Sequence, residues 1–207
     1  MRFLESRFPA ALFVVGLIVL GYSAIVQNGF RQWVVVLYLL WVLAEIRITF
    51  RSNPGETGGA DRGSMQLYGL SRAVLVITAL LVPVGWSPPV VPWLIVALVV
   101  MLAGIAVRLT AIVQLGRFYS HKVRTLRDHQ VVQAGLYGVV RHPSYLGMIV
   151  AHVGFVACFA NPVSIAALIL LVGAIVRRVL VEEQTLMRLP DYPGYAQRHA
   201  RLLPAVW

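Results

Sequence analysis

Residues 135–148 read GLYGVVRHPSYLGM and hold the most specific set of groups for a charged ligand in this sequence. Arg141 and His142 supply side-chain donors. The residue before a proline avoids helical geometry and Pro143 suits the first helical position, so a helix is predicted to begin at Pro143. The backbone N–H groups of Ser144, Tyr145 and Leu146, together with the positive end of the helix dipole, then favour an anion. Gly147 lets a ligand or a neighbouring helix come close. The competing reading is a helix start anchored to lipid headgroups by Arg141.

A second set stands in RRVLVEE at 177–183. Arg178 and Glu182 are four residues apart and share a helix face, so opposite charges meet there. Such a pair at the inner edge of a membrane helix is costly unless it is paired or functional. It either marks where the helix leaves the lipid or forms half of a site with the first set.

The elements that must carry these groups are apolar. The chain has 207 residues, 59% of them hydrophobic and 13% charged, with a mean hydropathy of +0.78. That is too much apolar surface for one soluble core, and the sequence reads as an all-α polytopic integral membrane protein. About six hydrophobic segments are predicted, at 9–26, 33–50, 67–85, 92–115, 145–160 and 163–181. The first could pass for a signal peptide, but it lacks a convincing cleavage site and five more segments follow. The fifth, at roughly 24 Å, is short for a bilayer core. It either crosses tilted or pairs with the sixth as a C-terminal hairpin turning at Asn161 and Pro162. The chain divides into N-terminal transmembrane helices at 1–114 and a C-terminal core at 115–207, within one integrated domain.

The net charge of +10 would suggest nucleic acid in a soluble protein, but its placement points to lipid. If the segments alternate, the basic residues gather on one side, only Arg31 lies on the other, and Arg72 and Arg108 fall inside segments near the basic side. By the positive-inside rule both termini and the Arg141 turn are cytoplasmic, and no nucleic-acid partner is expected. The connection at 51–66 is rich in Gly and charge and reads as a flexible loop. Residues 116–143 interleave aromatic and aliphatic residues with basic ones and are expected to lie against the membrane surface. The tail from Glu182 is expected to pack beneath the helices.

The remaining polar residues fit structural roles. His152 reads as a packing histidine bonded to a neighbour, and Glu45 and Arg108 as a pair with each other or with Arg47, with Glu45 also within possible reach of the site. His129 and His199 read as surface residues without partners. The five histidines have no metal-ligand spacing, so no metal site is expected. The single Cys158 reads as a small buried side chain.

Four pieces in order, LGRFYS at 115–120, DHQVVQAGLYGVVRHPSYLG at 128–147, RRVLVEE at 177–183 and YPGYAQRHARLLPAVW at 192–207, resemble the catalytic core of the isoprenylcysteine carboxyl methyltransferase family, whose relatives include phospholipid N-methyltransferases. The resemblance implies a membrane methyltransferase using S-adenosyl-L-methionine in a cytoplasmic pocket, with a lipid-like or small hydrophobic acceptor entering from the bilayer. It implies a cofactor site of Tyr137, His142, Pro143, Tyr145, Leu146 and Gly147, closed by Glu182 or Glu183, with His121, Lys122, Gln130 and Val131 from the preceding loop. Arg178 and Glu182 match the residues the family places near the reacting groups. A carboxylate acceptor would be held by Arg178 and need no base, whereas an amine would need Glu182 or His142 as base. A nicotinamide-dependent reductase of the sterol type is the competing enzyme class. A bacterial inner membrane is the expected location.

Overall fold

The computed structural model describes residues 2–49, 56–57, 61–83, 91–119, 125–126, 130–204 and 206–207. Each of the six apolar runs carries a helix: α1 (Arg2–Val26), α2 (Phe30–Thr49), α3 (Ser64–Leu81), α4 (Val91–Leu115), α5 (Pro143–Cys158) and α6 (Pro162–Leu186). A short α7 (Tyr192–Arg198) follows. Among the described residues, α3, α6 and the span Val91–Phe118 are long and apolar enough to cross a membrane, while α5 is a shorter apolar helix. Large apolar side chains remain bare on the outside, among them Ile18, Trp93, Val113 and Ile169. A surface of that kind belongs in lipid.

The predicted start of α5 is where the structure has it, with Pro143 at the first position and His142 before it. The turn into α6 has a physical cause as well. Asn161 accepts from the Ser164 amide at 2.9 Å, and the Ser164 hydroxyl accepts from the Asn161 amide at 3.1 Å, a reciprocal cap followed by Pro162. The Asn161 amide group also donates to the carbonyl of Thr78 at 3.1 Å, tying this turn to the end of α3.

Chain order does not set the packing. α5 lies mainly against α4, and α6 mainly against α3, so the two consecutive helices touch each other far less than either touches its partner. The α4–α5 contact is backbone on backbone. A Cβ on Gly154 would sit 2.3 Å from the Met101 amide nitrogen, and one on Gly104 only 2.2 Å from that of Ala151. Small residues permit this approach where lipid supplies no hydrophobic drive between helices.

Between them, α2 to α5 bury a polar chain. The His152 Nδ1–H donates to the Met148 carbonyl at 2.7 Å, which leaves Nε2 to accept from the Tyr38 hydroxyl at 2.9 Å. That hydroxyl accepts in turn from Arg72 Nε at 3.1 Å. Arg72 and Arg108 share Glu45, so the expected Glu45–Arg108 pair is present and a second arginine joins it. His152 is the packing histidine the sequence suggested.

Two expectations change. The 51–66 connection is not a loop throughout: α3 already begins at Ser64, and Glu56–Thr57 (β1) pairs antiparallel with Thr125–Leu126 (β2), Glu56 opposite Leu126. His199 is not without a partner, since its Nδ1 lies 3.1 Å from the Tyr195 carbonyl and its ring packs on Tyr195.

Candidate functional site

Under the ends of α3 to α6 lies a cavity that opens to the outside. Its wall includes Gln130, Val131, Tyr137, His142, Tyr145, Arg178 and Glu182, all expected from the sequence. They arrive from three separate pieces of chain: the stretch before α5, the first turn of α5 and the last turns of α6.

The polar centre is a bridge through one hydroxyl. Tyr145 donates to Glu182 Oε2 at 2.7 Å and accepts from Arg178 Nε at 3.0 Å. Arg178 and Glu182 thus meet across a residue of α5. Arg178 NH1 also reaches Asp61 at 3.0 Å and the Ser64 hydroxyl at 3.2 Å.

Other expected residues stand beside the cavity rather than on its wall. Pro143, Leu146 and Gly147 are not among its lining residues. Gly147 faces α4, where a Cβ would lie 2.6 Å from the Arg108 amide nitrogen, so of its two possible neighbours the helix is the one present. The amides of Tyr145 and Leu146 both donate to the His142 carbonyl at 3.1 Å. Of the three N–H groups expected to face an anion, two are therefore spent within the turn.

Glu183 sits behind the wall, buried under three donors. Arg141 NH1 approaches at 2.8 Å, His142 Nε2 at 3.2 Å and Arg201 Nε at 2.8 Å. This carboxylate clamps the Arg-His-Pro turn to the tail. The backbone does the same: the amides of Arg141 and His142 donate to the carbonyls of Ala200 and Arg201 at 2.8 and 3.0 Å. Arg141 is thus a buried partner of Glu183 and not a headgroup anchor. His121 and Lys122 lie outside the described residues, as does His129.

Several lining residues were not named as part of the site from the sequence. Met65 and Tyr68 come from α3, Arg108 from α4, and Tyr192 and Tyr195 from α7. Arg108 NH1 donates to the Ser144 hydroxyl at 2.9 Å and NH2 to the Tyr119 hydroxyl at 3.3 Å, which links the buried Glu45 chain to the cavity. A buried charge inside an apolar run was the available clue for Arg108; nothing in the tail's composition marked Tyr192 or Tyr195.

Burial raises the tyrosines of the wall. Tyr137 and Tyr192 are pushed well up, and Tyr119 and Tyr195 to about 12, each mainly because an ionised phenolate would lose its hydration. All four are neutral donors near neutral pH. The Tyr195 hydroxyl donates to the Tyr137 carbonyl at 2.6 Å. The buried Tyr192 hydroxyl has no protein partner among the described residues, nor does Arg141 Nε. Buried polar atoms of this kind beside a cavity suit a ligand with polar atoms of its own.

Known proteins resemble this chain in sequence and in fold. Residues 95–188 match the family model described as the isoprenylcysteine carboxyl methyltransferase (ICMT) family. Protein-S-isoprenylcysteine O-methyltransferase B of Arabidopsis thaliana is 34% identical over 114 residues, 53% of this chain and 58% of the plant protein. Protein-S-isoprenylcysteine O-methyltransferase of Saccharomyces cerevisiae is 27% identical over 187 residues, 84% of this chain and 78% of the yeast protein. The chain thus spans under two thirds of the plant relative's length. The solved structure of a eukaryotic intramembrane Ras methyltransferase, ICMT, superimposes with a TM-score of 0.57 at 22% identity, covering 98% of this chain and 75% of that one. The fold is shared.

Proposed function

We propose that this chain, whose residues 95–188 match the isoprenylcysteine carboxyl methyltransferase family model, is an integral-membrane methyltransferase acting on the carboxylate of a lipid-like acceptor, an isoprenylated cysteine in the first place. The observation that carries this reading is the Arg178–Tyr145–Glu182 bridge inside the cavity. It sets a fixed cation and a carboxylate side by side, as a reaction between an anionic acceptor and a cationic donor requires.

The residues present suit S-adenosyl-L-methionine as donor. When bound it supplies an electrophilic methyl group on a sulfonium. Glu182, whose Oε2 accepts from Tyr145 at the cavity wall, can face that positive charge. Tyr137, Tyr145 and Tyr192 offer aromatic faces to a cation or an adenine ring. The Tyr192 hydroxyl and Arg141 Nε offer buried donors.

The protein's own task is alignment. Arg178 orients the acceptor carboxylate, which is already ionised near neutral pH and needs no base. Leu115, Phe118, Val131, Leu186 and Leu189 line the remaining wall and exclude water, which would otherwise compete for the methyl group. His142 is held toward Glu183, which argues against its use as a base. Neither the amine-acceptor reading nor the reductase reading gains support from the relatives. Both termini are assigned to the cytoplasmic face by the positive-inside pattern; the relatives named are eukaryotic, and nothing in them favours a bacterial membrane.

Calorimetry with S-adenosylhomocysteine on the wild type, Glu182→Gln and His142→Ala, paired with methyl transfer to an S-farnesylated cysteine and to its carboxamide, tests the reading. The expected result is wild-type binding, and transfer to the acid but not to the amide. Absence of wild-type binding would overturn the donor, and equal transfer to the amide would overturn the carboxylate.

A further inference from the structure

The turn into α3, residues 61–63, is bonded to the last turns of α6. Arg62 and Gly63 both take the left-handed conformation, with φ of 47° and 73°, which folds the chain tightly enough to turn Asp61 back toward Ser64 and Met65. The Ser64 hydroxyl donates to Asp61 Oδ1 at 3.0 Å and the Met65 amide to Oδ2 at 3.2 Å. So anchored, Asp61 meets Arg178 NH1 at 3.0 Å. Two further bonds fix the turn to α6: Arg62 NH1 to Gln184 Oε1 at 2.6 Å and Arg177 NH2 to the Arg62 carbonyl at 3.1 Å.

The consequence concerns Glu182. Arg178 and Glu182 are four residues apart on one helix, a spacing at which opposite charges pair directly. Asp61 supplies a competing carboxylate from the other side. We propose that Asp61 is a positioning residue that draws Arg178 away from Glu182 and leaves the Glu182 carboxylate available to a cationic ligand. This rests on the methyl-donor reading of the cavity. It assigns a role to a residue outside 95–188, the segment that matches the family model.

S-adenosylmethionine and S-adenosylhomocysteine differ by one methyl and one positive charge, so the ratio of their affinities reads the field at Glu182. Calorimetry on the full chain in detergent, with thermal unfolding as the folding check, compares the wild type with Asp61→Asn, Asp61→Glu and Arg62→Ala. Asp61→Asn is expected to weaken S-adenosylmethionine by about tenfold, the scale of one charge-assisted contact, with S-adenosylhomocysteine held within about twofold. Asp61→Glu should restore the ratio. Equal weakening of both ligands, or no change in either, overturns the role of Asp61. If Asp61→Asn does not fold, Arg62→Ala loosens the same turn and must weaken the charged ligand selectively; an unchanged ratio overturns the role. A wild type that binds neither ligand overturns the methyl-donor reading and this role with it, whereas a wild type that binds both with the same ratio in every variant removes Asp61 alone.

Discussion

Gly147 of α5 packs so closely on α4 that a Cβ there would lie 2.6 Å from the backbone nitrogen of Arg108. This contact sets the height at which Arg108 meets Ser144 and hence the inner wall of the cavity. Gly147→Ala must push the helices apart and is expected to cost roughly 1 to 3 kcal/mol, as overpacking does. Gly173→Ala on α6 is the control, since a Cβ there meets nothing within 4 Å. Thermal unfolding of both in detergent checks the difference.

Tyr145→Phe removes the one hydroxyl that joins Arg178 to Glu182. The ring still fills its place, so stability should change little. The rate, kcat/KM for methyl transfer, should fall by about tenfold to a hundredfold, the range for losing a bond to a charged group. A variant with full activity would remove the hydroxyl from the proposed alignment.

Glu183 is the shared anion of Arg141, His142 and Arg201. Truncation in Glu183→Ala leaves Arg141 buried without its carboxylate and is expected to cost about 3 kcal/mol or more. The tail should then detach from the Arg-His-Pro turn. Limited proteolysis after residue 190 should quicken in the variant and not in the wild type.

Tyr195 is buried with its hydroxyl on the Tyr137 carbonyl, and its ionisation is pushed up from an ordinary value of 10.0 to about 12. The fold thus favours the neutral phenol, and the unfolded chain releases this proton first as pH rises. The contribution is complete below pH 10 and is lost on passing from there to about 12. Unfolding midpoints measured across that window should fall more steeply for the wild type than for Tyr195→Phe.

The start of α5 at Pro143, the turn at Asn161 and Pro162, and the membrane character of the chain were all legible in the sequence. Each depends on neighbours in the chain: the steric effect of proline, a cap three residues long, the length of an apolar run. The pairing of Arg178 with the residues around Tyr145 was legible only through the expectation that α5 and α6 form a hairpin. The two groups do meet, yet α5 packs on α4 and α6 on α3.

What tertiary structure decided was the set of partners for each charge. The sequence placed Glu183 at the cofactor and Arg141 near an anion; folding buries them against each other, because a carboxylate under that much apolar cover needs nearby cations. Asp61, Tyr68 and Tyr192 could not be found from spacing, since Tyr68 and Tyr192 reach the cavity, and Asp61 reaches Arg178, from turns and helices far along the chain. By itself the sequence determined the solvent, the helices and one end of the site, all of which follow from local chemistry. Only three-dimensional packing decided which hydroxyl joins Arg178 to Glu182, because that contact, at 2.7 to 3.0 Å, depends on how four helices seat on one another.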